Sequence, residues 1–277
     1  MQNPIFNQLY GFLQTPQLWK SNSLFEMEQF EIPNINLPNS DEFYNTLPNL
    51  STQYVLGKRM EIFFKEILKI SKNHEVLINN LQIFRDKITL GEIDFIVQNL
   101  INAEQLHVEL VYKFYVYDPG YQDEITRWIG PNRKDSLHQK IKKLQSQQFA
   151  LIQQPETAQT LSNYGVNISD LIQEVCFKAN LFVPRTLLNN TFPLINNDCI
   201  AGYYLKLEEF NAEEFKEELY YIPKKQDWPS LPEHNKTWNS YDEVQEELSS
   251  ITAKKRAPLV WRKLKDRNYE RFFVVWW

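Results

Sequence analysis

Two acids stand in apolar, extended-looking stretches of the chain. Asp94 lies in Gly91-Glu92-Ile93-Asp94-Phe95-Ile96-Val97, and Glu109 in His107-Val108-Glu109-Leu110-Val111-Tyr112-Lys113. An acid buried in such a strand costs free energy unless something pairs with it. A period of two puts Glu109, Val111 and Lys113 on one face, with Val108, Leu110, Tyr112 and Phe114 on the other. If the two stretches pair as a hairpin turning at residues 99–102, Asp94 falls opposite a residue around 107, within a bulge of Glu109. Two carboxylates on neighbouring strands supply hard oxygen ligands for Mg²⁺ or Mn²⁺, which polarises a phosphoryl oxygen and lowers the pKa of bound water. Lys113 would orient water or stabilise developing negative charge, and Glu61, on the preceding helical stretch, would be an outer ligand or a support. The alternative is that Asp94 and Glu109 form ion pairs with Lys113, Arg85 or Lys58.

Other chemistries lack their residues. The chain has 277 residues but only 7 Gly, and neither glycine-rich phosphate loop pattern occurs, so no nucleotide cofactor is expected. The four histidines form no H-x-x-x-H or H-E-x-x-H pair; His107-Val108-Glu109 is an H-x-E with no P-C-x-x-C after it, which rejects a zinc deaminase. There is no G-x-S-x-G. Cys176 and Cys199 make no C-x-x-C, and Cys176 falls in a buried-looking strand where packing is its expected role. With no disulfide framework, no signal-peptide order in the first residues and no apolar run approaching the roughly 20 residues that span a bilayer, a cytoplasmic globular protein is expected.

The elements that must hold these residues are legible from periodicity. Residues 1–50 are rich in Pro, Asn and aromatic rings and predict a strap of short helices and turns packed on the main body. A helical pattern runs from Thr52 to about Asn73, followed by extended stretches at residues 75–84, 90–98 and 105–117. A loop is bracketed by Pro119-Gly120 and Gly130-Pro131. Asn132 and Asp135 are candidate N-caps for a helix reaching about Phe149, a short helix spans residues 155–163, and residues 174–184 form a buried strand. Helix, three strands, helix, strand is an α/β plan with a mixed sheet. Residues 185–277 add a strand near Tyr203, an acidic helix capped by Asn211, a helix opened by the Ser240 to Glu243 capping box, and an apolar end, Phe272 to Trp277, expected to dock as a strand.

The order Glu61, Gly91-x-x-Asp94, Glu109 and Lys113 resembles the PD-(D/E)XK nuclease core. Leu56-Gly57-Lys58-Arg59-Met60-Glu61, Gly91-Glu92-Ile93-Asp94-Phe95, Glu109 to Tyr115 and Trp128-Ile129-Gly130-Pro131-Asn132-Arg133-Lys134-Asp135-Ser136-Leu137 resemble the bacterial domain-of-unknown-function family numbered 1853 over residues 50–277. The resemblance implies a restriction-endonuclease-like core at residues 51–184, with the N-terminal strap at 1–50 and an α+β extension at 185–277. One departure stands out: the nuclease motif is acid-x-Lys, whereas Glu109 and Lys113 are four residues apart, about 13 Å along a strand, with Val111 between them on the same face.

The expected function is Mg²⁺-dependent phosphodiester hydrolysis on nucleic acid, with Asp94, Glu109, Lys113 and Glu61 at the site. The alternatives are a non-catalytic nucleic-acid-binding relative and a protein-interaction scaffold using the acidic helices and aromatic C-terminus. Nucleic-acid contacts are expected from Arg133 and Lys134, at a helix start that could receive a phosphate or simply be capped, and from Lys254, Lys255 and Arg256. These three open a run from Lys254 to Arg267 with seven bases and one acid, set against six acids and one lysine over residues 208–218. The plainer reading of both runs is solvated surface.

Overall fold

The computed structural model describes residues 3–20, 25–38, 40–266 and 268–277. Arg267, the last base of the charged run, and the first two residues of the N-terminal strap lie outside them.

The N-terminal stretch forms α1 (Pro4–Gln14), a two-residue strand β1 (Glu28–Gln29) and α2 (Asp41–Thr46). Then comes α3 (Leu56–Ser71), whose Met60, Phe63, Phe64, Ile67 and Leu68 recur at helical spacing and are all buried. Three long strands follow: β2 (His74–Arg85), β3 (Ile88–Asn99) and β4 (Gln105–Tyr117). The expected loop contains α4 (Glu124–Arg127) and β5 (Trp128–Ile129), and leads to α5 (Leu137–Lys143), a π turn (Leu144–Gln148), a 3₁₀ turn (Phe149–Gln153) and α6 (Pro155–Ser162). The chain closes with β6 (Leu171–Pro184), β7 (Ile200–Lys206), α7 (Ala212–Phe215), β8 (Leu219–Tyr221), α8 (Tyr241–Ala253), β9 (Leu259–Lys263) and β10 (Tyr269–Val275).

Among the described residues, ten strands form one mixed sheet in the order β2-β3-β4-β6-β7-β10-β9-β8, with β1 on β6 and β5 on β4. The β2-β3-β4 meander is antiparallel, whereas β4, β6, β7 and β10 run parallel. The C-terminal strand is thus interior to the sheet: Phe272 to Val275 pair with β7 on one side, and residues 269–273 pair with β9 on the other. The α3 stripe packs on Phe95, Val97, Val108, Tyr112 and Phe114. The opposite face of β4 and β6 carries Val111, Tyr115, Val175 and Phe177 against Leu137, Ile141 and Leu144.

One local expectation is corrected. Neither Asn132 nor Asp135 caps α5: the N-cap is Ser136, whose Oγ accepts from the Gln139 amide at 3.2 Å. Asn132 Oδ1 instead accepts the Ala257 amide and Asp135 meets Lys113, so both side chains tie distant segments together. Within the basic run from Lys254, burial varies. Lys254, Lys255 and Arg256 are exposed, but Arg262 enters β9 and is buried.

Candidate functional site

Asp94 and Glu109 meet where β3 and β4 part. Their ladder runs from Gln98↔Gln105 to Phe95↔Val108, and the next cross-strand position sets Asp94 opposite Glu109. There the regular pairing ends, and the Leu110 amide donates to Asp94 Oδ2 at 3.0 Å. On the other side, the β2 residue in register with Asp94 is Asn80, which lies between the pairs Asn79↔Phe95 and Leu81↔Ile93 and has a φ of 54°. A non-glycine in the left-handed region mid-strand persists only where its surroundings enforce it. Both neighbours of β3 are therefore irregular at the level of Asp94.

The register differs from the expected one by two residues. The hairpin loop is longer than residues 99–102: the Asn99 amide donates to Glu104 O at 2.8 Å, Asn99 Oδ1 accepts from the Ile101 and Asn102 amides, and Ala103 takes a φ of 62°. A shift of two keeps every side chain on its face and brings Asp94 directly onto Glu109.

The Glu109 side chain is 0% exposed. Its Oε1 lies 3.0 Å from His107 Nε2, and its Oε2 accepts from Gln148 Nε2. His107 Nδ1 faces the amide nitrogen of Gln173 at 3.1 Å, and that same amide also donates to Phe149 O at 3.0 Å. An amide N–H can only donate, so Nδ1 accepts and Nε2–H points at Glu109. Burial lowers the His107 pKa to about 4, so the imidazole is neutral and brings no countercharge. Gln148 closes the π turn, a widened turn that aims its amide at the sheet.

The charges around the pair do not balance locally. Burial first, and the Glu109 carboxylate second, raise the Asp94 pKa to about 8. Burial raises Glu109 to about 7, opposed most by Lys140. Lys140 is the ammonium both acids feel most, and its Nζ donates to Gln148 Oε1 at 2.8 Å. Burial lowers its own pKa, against the pull of the two acids. The bases expected to neutralise the acids are engaged elsewhere. Lys113 Nζ is 2.6 Å from Asp135, Arg85 Nε is 2.6 Å from Glu156, and Lys58 Nζ is 2.8 Å from Glu61. Among the described residues, no Lys or Arg lies within ion-pair distance of Asp94 or Glu109.

Glu61 stands close enough for its charge to raise the Asp94 pKa, and is itself held by Lys58 and by Asn80 Nδ2 at 2.8 Å. Asn80 Nδ2 also reaches Glu92 Oε1 at 3.1 Å, so the strained strand residue ties the α3 acid to β3. Among the described residues, no group of three or more His, Cys, Asp or Glu side chains is gathered tightly enough to hold a metal by itself. Any cation here would have the two opposed carboxylates and would complete its shell with water or ligand oxygens.

Sequence reasoning missed Lys140, Gln148 and Gln173. Lys140 had one signal: it stands three residues after Leu137 and four before Leu144, on the margin of the buried stripe. The glutamines had none, because an amide that secures a carboxylate across the fold follows no local pattern.

Past Glu109, the edge of β4 lines a cleft of about 570 Å³ between the start of α3, residues 131–135 and residues 224–228. Lys113, Lys134, Lys224 and Lys225 line it, with Asp135. Of the expected nucleic-acid residues, Lys134 lines this cleft, and Arg133 and Lys255 lie against the C-terminal tryptophans. Arg133 lies over the Trp277 ring at 4.6 Å and also pairs with Asp118, Lys255 lies near the Trp276 ring at 5.9 Å, and Trp277 Nε1 donates to Pro131 O at 3.2 Å. Lys134, Lys254 and Arg256 are exposed. No helix among the described residues is long and apolar enough to cross a membrane.

No curated protein and no solved structure matches the chain. The family described as a domain of unknown function, DUF1853, matches residues 7–275. The acid pair, its buried amides and the adjoining cleft all fall inside that span, and the chain belongs to the DUF1853 family.

Proposed function

We propose that Asp94 and Glu109 form the divalent-cation centre of a phosphodiester hydrolase acting on nucleic acid, built on a PD-(D/E)XK-like core of α3, β2-β3-β4, α5 and β6. One observation carries the reading: among the described residues, two opposed carboxylates at a strand fork have no Lys or Arg within ion-pair distance, and the one base that touches them, His107 on Glu109, is a neutral imidazole. A bare pair of this kind is costly to keep unless a cation or a proton joins it. Mg²⁺ and Mn²⁺ suit it, because a small hard cation takes one or two carboxylates and leaves its other positions to water and substrate phosphate. When bound, the cation supplies Lewis-acid polarisation of a phosphoryl oxygen.

The chain's own residues do the rest. His107 and Gln148 fix the Glu109 carboxylate with neutral donors, so its orientation is set without cancelling its charge. The Leu110 amide does the same for Asp94. Lys140, partly desolvated and drawn toward both acids, stabilises negative charge developing on the transferring phosphoryl group. It takes the part expected of Lys113, whose ammonium is held by Asp135. Glu61 acts from α3 as a support for the Asp94 side of the centre.

Incubation with labelled DNA and RNA in Mg²⁺ or Mn²⁺ tests the reading. Cleavage that falls by about 10²-fold or more in Asp94→Asn supports it. Absence of cleavage, with Asp94→Asn indistinguishable from the parent, removes it. A second reading, binding without turnover, is favoured by Val111 standing where the nuclease motif has its lysine; metal-independent binding with no cleavage selects it.

A further inference from the structure

The cleft at the Lys113 end of β4 has a composition that the acid pair does not explain. Four lysines, Lys113, Lys134, Lys224 and Lys225, line it against one carboxylate, Asp135, which Lys113 already engages. Among the described residues, Lys134, Lys224 and Lys225 have no carboxylate within ion-pair distance. At the mouth stands Tyr54, a large ring 43% exposed. On one wall is Gly57, where an added Cβ would meet nothing within 4 Å, so a ligand can approach the backbone there. Gly57 is four residues, one helical turn, from Glu61, and Lys113 is four residues from Glu109. The cleft and the acid pair thus share β4 and α3: Lys113 lies about 13 Å along the strand from Glu109, and neither Asp94 nor Glu109 lines the cleft itself.

Resting on the hydrolase reading above, we infer that this cleft takes an unpaired polynucleotide strand, its phosphates facing Lys134, Lys224 and Lys225 and a base stacked on Tyr54. Three features select an unpaired strand over a duplex. Glu109 is wholly enclosed, so a rigid duplex lying across the surface would hold its backbone away from the acids, whereas a flexible single strand can bend inward. A volume of about 570 Å³ is that of a small-molecule pocket, enough for a nucleotide or two and too small for paired strands. Separated ammonium groups beside an exposed ring form the combination that binds single strands without sequence preference: charge tracks the backbone and the ring accepts any base.

The test is binding in EDTA, where no metal-dependent turnover occurs, so its outcome is independent of the hydrolase assay. Fluorescence anisotropy would follow a labelled oligothymidylate of about 12 nucleotides and, separately, the same strand annealed to its complement. The single strand is expected to bind at least about tenfold tighter than the duplex. The Lys134→Ala/Lys224→Ala/Lys225→Ala chain should lower the slope of log affinity against log salt by about 2, from three lost phosphate contacts. Tyr54→Ala should weaken binding by about tenfold with the salt slope unchanged. All four positions are exposed, so the variants are expected to fold, and circular dichroism spectra matching the parent's would verify it. Equal or tighter binding of the duplex, or a triple-lysine chain with unaltered affinity and salt slope, would overturn the inference, whatever the cleavage assay shows.

Discussion

Two charge clusters are built into one sheet and treated in opposite ways. On β9 and β10, Arg262 is buried yet fully answered: its guanidinium contacts Glu218 and lies 3.1 Å from Glu270, whose Oε2 also accepts from Tyr203 at 2.9 Å. Burial works against its charge, but the hydrogen bonds to Glu218 and Tyr203 outweigh it and leave the pKa raised. On β3 and β4, Asp94 and Glu109 are desolvated as well, yet their nearest donors are an amide backbone, a glutamine and a neutral histidine. A buried ion with its partners present is part of the scaffold. Buried ions without one impose a standing cost that a ligand can remove.

The contrast predicts opposite outcomes on mutation. Arg262→Ala leaves Glu218 and Glu270 uncompensated and should cost about 3–5 kcal/mol of stability, read from urea denaturation. A loss under 1 kcal/mol would show that this cluster is not structural. At the other site, Lys140→Met should lower turnover by about 10- to 100-fold with little loss of stability, since its charge acts on the acids at a distance. An unchanged rate would return the cationic role to another residue.

The acid pair should also make stability depend on pH. Between the ordinary carboxyl range near 4 and the folded values of about 8 for Asp94 and about 7 for Glu109, the native state holds more protons than the unfolded chain. Stability therefore falls as pH rises through that window. Asp94→Asn removes the larger part of this dependence, so its advantage over the parent should grow by about 3–4 kcal/mol between pH 5 and pH 8. Parallel stability curves for the two chains would mean that the pair is already neutralised. The smallest effect belongs to Lys113→Ala: its pair with Asp135 is partly exposed, and its removal should cost about 0–1 kcal/mol by urea denaturation and change turnover less than threefold.

Much of the frame was legible because it is written in local periodicity. The α3 stripe and the three strands of the meander follow from periodicity, the Ser240 helix start from its capping-box pattern, and the C-terminal strand from an unbroken apolar run. Asp94 and Glu109 were recognisable as acids at odds with their apolar neighbours. What escaped depends on contacts remote in sequence. The hairpin register moved by two because the Asn99 side chain organises a longer loop. Asn132 and Asp135 looked like caps but bond to Ala257 and Lys113, while the Ser136-x-x-Gln139 spacing was the better helix-start signal. Lys113 looked like the site lysine because strand periodicity puts it on the Glu109 face; nothing local discloses that Asp135 holds it or that Lys140 comes across from α5.

Calorimetric titration of Mn²⁺ into the parent chain, Asp94→Asn and Glu109→Gln tests the cation centre most directly. A single saturable site is expected in the parent, abolished by either substitution while the fold is retained. Equal binding by all three chains, or none by the parent in the presence of a non-cleavable oligonucleotide, would contradict it.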